Sequence, residues 1–385
     1  MKPIVLFITK TCYLDAALEY IEEVKNYVTL HVIIEIDPYS KKMNISDVDY
    51  LPQKITFIDP KKLLSQHEYA NYTKYIDGCA SFEFLIHQNN KSFSLESIKK
   101  SYLLFKKSKQ LLPDYIHFDD VSIRLILFPF LIKLIKTKLI INVHDPIQHS
   151  GERNLKNIFA RKIFYKKVYK FITFSNYSQS IFITNNKSKT CINLNLKPYH
   201  FYSNYINQID PPQTKISFIG RISAYKGIDI FLDSIAILNK KYKDINYLIA
   251  GAPYNETIGE KLVNQYNFKN IEFQLKHLSN QELCTIIQAS KIIVCPYRDA
   301  TQSGVIMTAL ALNTPIIVSN QGGLPEYIEN NITGMVANTD AVSIASAIET
   351  FIIHPLKHLK LSENIKNMDK KKWMIGENKI LKLYW

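Results

Sequence analysis

"FIGRISAYKGIDIFLDSI", Phe218 to Ile235, decides how this chain is read. An apolar stretch ends in glycine, and an arginine follows at once. Five residues later Lys-Gly opens an amphipathic run. The order reads as strand, tight turn and helix. Gly220 lets the chain turn sharply as it leaves the strand. Arg221 and Lys226 then fall at the carboxyl edge of a sheet, beside a helix N-terminus. Free backbone N–H groups and the helix dipole stabilise an anion there. Arginine grips phosphate oxygens bidentately, and lysine adds a movable point charge. Gly227 permits close approach of backbone. Taken alone, the stretch is also compatible with a surface helix start carrying two solvated cations.

The same alternation continues on both sides. Downstream come "INYLIAG", "IEFQ", "KIIVCP" and "TPIIVSN", each followed by a helical stretch. Upstream lie "PIVLFIT", "TLHVIIEI", "KITFID", "DYIHFD", "KLIINVHD" and "KFITFS", with helices expected over about 14–27, 95–109, through Phe130, and 155–169. Continuous apolar strands separated by helices indicate parallel sheets covered on both faces. The stretch from Ser40 to Asn90 carries less pattern. "NQIDPPQT" reads as a linker, from its two prolines and polar neighbours. The expectation is an α/β chain of two Rossmann-like, doubly wound halves. Residues 1–206 form the first, 207–214 the linker and 215–370 the second, with a last helix at 371–385 carrying Trp373, Leu381 and Tyr384. Open sheets of this kind bind ligands at the carboxyl ends of their strands, so the site is expected in the cleft between the halves.

The chain has 385 residues, 46% of them hydrophobic, enough for two cores. Its formal charge of +14 is unevenly spread. From Lys99 to Lys170 there are 16 Lys/Arg against 5 Asp/Glu, a net +11. Such a field attracts phosphates of nucleic acid, of an anionic membrane or of a small molecule. Within it Lys106, Lys107 and Lys109 lie at a helix end, and the spacing of Lys162, Lys166 and Lys170 suggests one helical face. Nucleic acid is the weaker reading, because the aromatics of "RKIFYKKVYK" recur at helical spacing suited to a core. Five scattered cysteines without a CxxC pair suggest reduced thiols in the cytosol. The N-terminal apolar run is short for a signal peptide, and "LILFPFLI" is far short of a membrane span.

A second loop supports the phosphate reading. In "CPYRDATQSGVIMTALALNTPIIVSNQGGLPEYI", Cys295 to Ile328, a strand ends at Pro296 and a polar, small-residue loop feeds a helix near Ser303-Gly304. Its N-terminus offers further N–H groups to phosphate. Gly322-Gly323 gives another close-approach loop, or an ordinary tight turn. Two groupings suggest metal ligation. Asp47 and Asp49 form a D-x-D pair without an obvious strand end before it. His144, Asp145, His149 and Glu152 have intervals that match no familiar zinc pattern. No metal is expected at either.

"GRISAYKG", the Pro–loop–Ser-Gly–helix–"NTP" segment and "GGLPE" resemble glycosyltransferase family 4 (group 1), the large retaining family with the GT-B fold. "INVHDP", "HSGE", "FITFSNYSQ" and the closing "KKWMIGENKILKLY" fit as well. The resemblance spans nearly the whole chain and is strongest over about 215–340. It implies a metal-independent, retaining transferase that uses a nucleoside diphosphate sugar as substrate and needs no cofactor. It places the donor diphosphate on Gly220, Arg221 and Lys226, with backbone contacts from Ser303, Gly304 and Val305. His144 would face the transferring sugar, with Thr11, Asp145 and Thr301 lining the acceptor and sugar side and Gln302 touching the donor. The family's two glutamates fall at Ala300 and Thr308. Thr308 would still reach a ribose, and Asp299 is one residue out of register. The glycine-rich loop after the first strand is replaced by "TKTCYLD". With no carboxylate nucleophile visible, the implied route is front-face attack, a donor phosphate oxygen accepting the hydroxyl proton. The basic first half suits a lipid-linked saccharide acceptor at the inner membrane face, in lipopolysaccharide or capsule synthesis. The alternatives are a nucleotide-sugar 2-epimerase and a non-catalytic sugar-nucleotide binder.

Overall fold

A computed structural model describes residues 1–36, 56–89, 91, 94–147, 155–206, 213–368 and 370–385. The Asp47/Asp49 pair, His149, Glu152 and most of the expected linker lie outside the described residues.

The first sheet contains β1 (Ile4–Lys10), β2 (Thr29–Ile36), β3 (Phe57–Ile58), β4 (Ser81–Ile86), β5 (Tyr115–Phe118), β6 (Lys138–Asn142), β7 (Val168–Thr173) and β8 (Cys191–Asn193). Their order is β3-β4-β2-β1-β5-β6-β7-β8, parallel except at β3. The second contains β9 (Lys215–Ile219), β10 (Asn246–Ala250), β11 (Ile271–Gln274), β12 (Ser290–Cys295), β13 (Ile316–Ser319) and β14 (Gly334–Ala337). Their order is β11-β10-β9-β12-β13-β14, all parallel. Both strand orders reverse at one point, between β1 and β5 and between β9 and β12. A crevice opens at the carboxyl end of a sheet where its order reverses.

The apolar runs form strands buried on both faces. Val5, Phe7, Ile216 and Phe218 expose 2% of their surface or less. The halves meet through Tyr199, Phe201 and Tyr202, all buried, and Tyr199 N–H donates to the Met307 carbonyl at 3.2 Å. The last helix, Glu377–Tyr384, returns to the first half. Glu23 accepts from the Ile375 and Gly376 N–H groups at 3.0 and 2.8 Å, capping its start. Trp373 precedes it in a 3-10 turn.

The expected face of Lys162, Lys166 and Lys170 is corrected. The helix there ends at Tyr165, because the chain from Val168 pairs with β6. Lys170 therefore lies in a strand, and its ammonium donates to the Lys382 carbonyl. Lys107 is also not a free surface cation, since it pairs with Glu83. Among the described residues no helix is long and apolar enough to cross a membrane.

Candidate functional site

A cavity of about 210 Å³ lies where the carboxyl edges of the two sheets face each other. The first half contributes Tyr13, Asp15, His144 and Asp145; the second contributes Lys226, Tyr297, Gln302, Ser303 and Gly304.

On the second half, two loops are tied together. Gly220 leaves β9 with φ +116°, and a Cβ there would stand 2.9 Å from the Lys226 ammonium. Lys226 lies over the Tyr297 ring, 5.0 Å from its centroid and 3.3 Å from its hydroxyl. Gly227, at φ +65°, lies so close to the Pro296 carbonyl that a Cβ would come within 2.1 Å of it. Arg298 holds the same loops, donating from its backbone to Tyr225 at 2.7 Å and from its guanidinium to Asp229. The helix Gly304–Ala311 starts beside Lys226, and its N-cap residue Ser303 makes no side-chain cap. Its first N–H groups therefore lack the side-chain acceptor that usually caps such an end. Lysine charge and helix N-terminus thus converge on one spot.

Arg221 is placed differently. It is exposed, its guanidinium is 5.8 Å from the Tyr254 ring centroid, and it stands outside the cavity wall. Thr308 is 3% exposed, and its hydroxyl donates to the Gly304 carbonyl at 2.9 Å, within its own helix. Ala300 is buried, its carbonyl accepting from Gly323 N–H at 3.0 Å. A Cβ at Gly322 would come within 1.8 Å of that oxygen, so the double glycine is a packing requirement. Thr11 is buried behind the wall rather than on it.

Across the cavity, His144 is 2% exposed, stacked on Tyr13 with ring centroids 3.9 Å apart. Its Nε2–H donates to Asp119 at 2.7 Å, and its Nδ1 accepts from Gln302 Nε2 at 2.8 Å. Burial works against the charged ring, but Asp119, with Asp120 and Asp145 behind it, more than offsets burial and holds His144 above its ordinary pKa. Gln302 Oε1 is buried with no hydrogen-bond partner. A half-turn of that amide would let it accept from a protonated His144, so the contact serves either charge state. The Thr301 hydroxyl donates to Asp145, and Ser175 donates to the Thr301 carbonyl at 3.0 Å. Glu326 of "GGLPE" accepts from the Asn176 and Tyr177 N–H groups at 2.7 and 2.8 Å, at the start of the helix Asn176–Asn185.

Three residues that the sequence reading did not single out belong to this site. Asp15 stands where the glycine-rich loop was expected, and its carboxylate lies 3.8 Å from where a Cβ of Gly304 would be. Burial pushes its pKa up to about 6. Asp119 and Asn142 support His144 from behind. Their signal was in "IHFD" and "NVH", polar residues two apart in otherwise apolar strands. Among the described residues, no group of three or more His, Cys, Asp or Glu is arranged to hold a metal ion.

Residues 204–368 match the family model described as glycosyl transferases group 1. Among curated proteins, the chain is 23% identical over 150 residues to the alpha-D-kanosaminyltransferase of Streptomyces kanamyceticus, covering 39% of each. It is 27% identical over 150 residues to the D-inositol 3-phosphate glycosyltransferase of Mycobacterium sp. (strain KMS), covering 37% of this chain and 33% of that protein. The chain thus matches about two fifths or less of these relatives' length. Solved structures resemble it over nearly its full length. Anabaena Alr3699/HepE in complex with UDP gives a TM-score of 0.67 at 13% identity, covering 100% of this chain and 98% of that one. Sucrose-phosphate synthase from Thermosynechococcus elongatus gives 0.65 at 14%, covering 99% and 97%. The UDP-GlcNAc 2-epimerase from Neisseria meningitidis gives 0.56 at 12%, covering 98% of both.

Proposed function

We propose that this chain, whose residues 204–368 match the glycosyl transferases group 1 model on a GT-B frame, moves a sugar from a nucleoside diphosphate donor to an acceptor hydroxyl with retention of configuration. The observation that carries this reading is the convergence of Lys226 with the uncapped start of the helix Gly304–Ala311, directly across from His144. That spot suits a diphosphate, with N–H groups of Gly304 and Val305 and the Lys226 ammonium meeting its oxygens. As the sugar departs, negative charge grows on the diphosphate, and these preorganised donors stabilise it without a metal ion. Arg221 acts from the rim, with a smaller share. His144 and Gln302 bound the place of the transferring sugar. The acceptor hydroxyl enters on the leaving-group face, and its proton passes to a donor phosphate oxygen. The names of the curated relatives support glycosyl transfer, and the UDP complex of the Anabaena protein supports a nucleotide donor.

The cavity is smaller than the roughly 300 Å³ at which small-molecule pockets begin. Donor entry therefore requires the halves to part, breaking the His144–Gln302 and Asp145–Thr301 contacts. Reclosure around the donor excludes water and limits hydrolysis.

The acceptor is proposed to be a saccharide carried on lipid, in surface-polysaccharide synthesis at the inner membrane face. Leu127, Phe130 and Leu134 are exposed on the outside of the first half, 53% and 72% for the last two. Lys133 interrupts them, and its ammonium faces Lys167, whose pKa is lowered by that repulsion. Adjacent cations beside exposed apolar side chains suit an anionic lipid surface.

A thermal-shift panel of nucleotide sugars and nucleoside diphosphates tests the donor reading, since a ligand stabilises the folded state by mass action. At least one nucleotide family should raise the melting temperature. A flat response across the panel would remove the donor assignment.

A further inference from the structure

Behind the cleft histidine runs a buried row of hydrogen bonds whose directions can be assigned. The ionised Asp119 carboxylate only accepts. Three groups donate to it: Thr9 Oγ1 at 2.7 Å, Asn142 Nδ2 at 2.8 Å and His144 Nε2 at 2.7 Å. With its amide nitrogen committed, Asn142 presents Oδ1 to His117, so His117 Nε2 carries the proton it donates at 2.7 Å. Burial pushes the His117 pKa down to about 4, so the ring is neutral and its Nδ1 accepts. The nearer donor to Nδ1 is the Tyr384 hydroxyl at 2.7 Å; the Tyr20 hydroxyl donates in turn to Tyr384 and itself stands 3.2 Å from Nδ1. Tyr384 is the last residue of the C-terminal helix, and Gln302, at the other end of the row, belongs to the second half.

We infer that Asp119 and the row Asn142–His117–Tyr384 are positioning residues that lock His144 with its proton on Nε2 and its Nδ1 turned to the cleft, making the returning C-terminal helix part of the site. The inference rests on the reading of His144 as the residue facing the transferred sugar. Every link is buried: His117, Asp119 and Asn142 expose 2% of their surface or less, and Tyr384 exposes 1%. Water therefore does not replace a lost partner, and the one substitute at hand is the Tyr20 hydroxyl beside His117 Nδ1. The register explains the continuity. His117 and Asp119 are two apart along β5 and its exit, so they share a face. Asn142 and His144 do the same on the neighbouring β6 side. The charged and titratable groups acting on His144 are Asp119, Asp120 and Asp145 from its own half, together with Asp15 at the head of the first helix. Asp119 alone bonds the ring directly.

Histidine-selective 15N labelling tests the inference on the full chain, with the His144 signal assigned from the His144→Gln variant. In the unmodified protein the neutral His144 ring should carry its proton on Nε2. Asp119→Asn should lower the His144 titration midpoint and shift protonation toward Nδ1. It should also reduce kcat on the order of 10–100-fold, the loss of one charge-assisted hydrogen bond, with donor KM nearly unchanged. Tyr384→Phe should move the His117 and His144 signals in the same sense and lower kcat by a smaller factor. If Asp119→Asn does not fold, Tyr384→Phe decides the matter. A His144 signal and pH–rate profile unmoved by Tyr384→Phe, both alone and combined with Tyr20→Phe, which removes the second hydroxyl near Nδ1, would overturn the reach of the row to the C-terminal helix. A His144 tautomer unchanged by a folded Asp119→Asn would overturn the positioning role. If the spectra change as expected while no nucleotide sugar is ever consumed, the positioning stands and the transferase reading falls.

Discussion

Asp15 shows what a single side chain can do in this cleft. The first turn of the helix after β1 carries a carboxylate where the resemblance leads one to expect glycines. That carboxylate is half-buried in the cavity wall opposite the start of a helix. Burial raises its pKa to about 6, above the unfolded value of about 3.9. The folded state thus holds the proton more tightly than the unfolded state. The destabilisation is absent below about pH 4, grows as pH rises to about 6 and is complete above it, reaching about 1–3 kcal/mol. Asp15→Asn should therefore stabilise the protein at pH 7.5 and leave it unchanged at pH 4, as read from denaturation midpoints. Equal midpoints for variant and parent at pH 7.5 would mean that Asp15 is well solvated. Residue-level reading of the sequence found the cations because Gly-Arg and Lys-Gly announce themselves at a strand end. It missed Asp15, Asp119 and Asn142 because a carboxylate or amide in a strand exit looks the same whether it faces water or a buried histidine. It also ranked Arg221 with Lys226; only the three-dimensional turn at Gly220 separates an exposed arginine from a lysine folded over the cavity.

At the scale of elements, the two donor-side loops depend on glycine at one close approach. Gly227 combines φ +65° with a carbonyl that a Cβ would approach to 2.1 Å. Gly376 has a comparable φ of +79° but nothing within 4 Å of its would-be Cβ. Both backbones are strained for a side chain, and Gly227 adds a clash that Gly376 lacks. Gly376→Ala should cost about 1–3 kcal/mol, the strain of a positive-φ, extended-ψ backbone (φ +79°, ψ 147°) that essentially only glycine adopts. Gly227→Ala should cost more, on the order of 3 kcal/mol or above, and should also weaken nucleotide binding, because Lys226 is the adjacent residue. Similar losses for both variants would show that the Pro296 loop yields easily. Element order and type were largely legible, because parallel strands buried on both faces leave continuous apolar runs. Ends were less so. The helix expected through Tyr169 stops at Tyr165, since pairing with β6 outweighs local helical spacing, and that removed the supposed lysine face.

Across the whole molecule, two sheets that each reverse order at one point bring four carboxyl ends to a common crevice, and the C-terminal helix closes the arrangement onto the first half. That architecture followed from the alternation of strands and helices and from the resemblance. The contacts closing the cleft, Gln302 to His144 and Glu326 to the helix at Asn176, did not, because they join residues more than 140 positions apart. The outward patch of the first half makes a separate claim. Lys133→Glu and Lys167→Glu should release the protein from anionic vesicles while donor binding in the other half is unchanged. Attraction of about 1 kcal/mol per cation should fade above about 0.15 M salt, where the screening length is roughly 8 Å. Co-sedimentation with neutral and anionic vesicles checks this, and equal binding to both would favour a soluble acceptor.

The central claim is that Lys226 and the start of the helix Gly304–Ala311 hold a departing diphosphate. Its most direct test is single-variant turnover with a labelled nucleotide sugar found by the thermal-shift panel, following both transfer to a saccharide acceptor and slow release of free sugar. Lys226→Ala should keep the parent fold and lose turnover by roughly 10–100-fold, one charge-assisted contact at the leaving group, while Arg221→Ala should lose distinctly less. A Lys226→Ala protein that transfers and hydrolyses the donor at the parent rate would contradict the placement of the diphosphate and the function built on it.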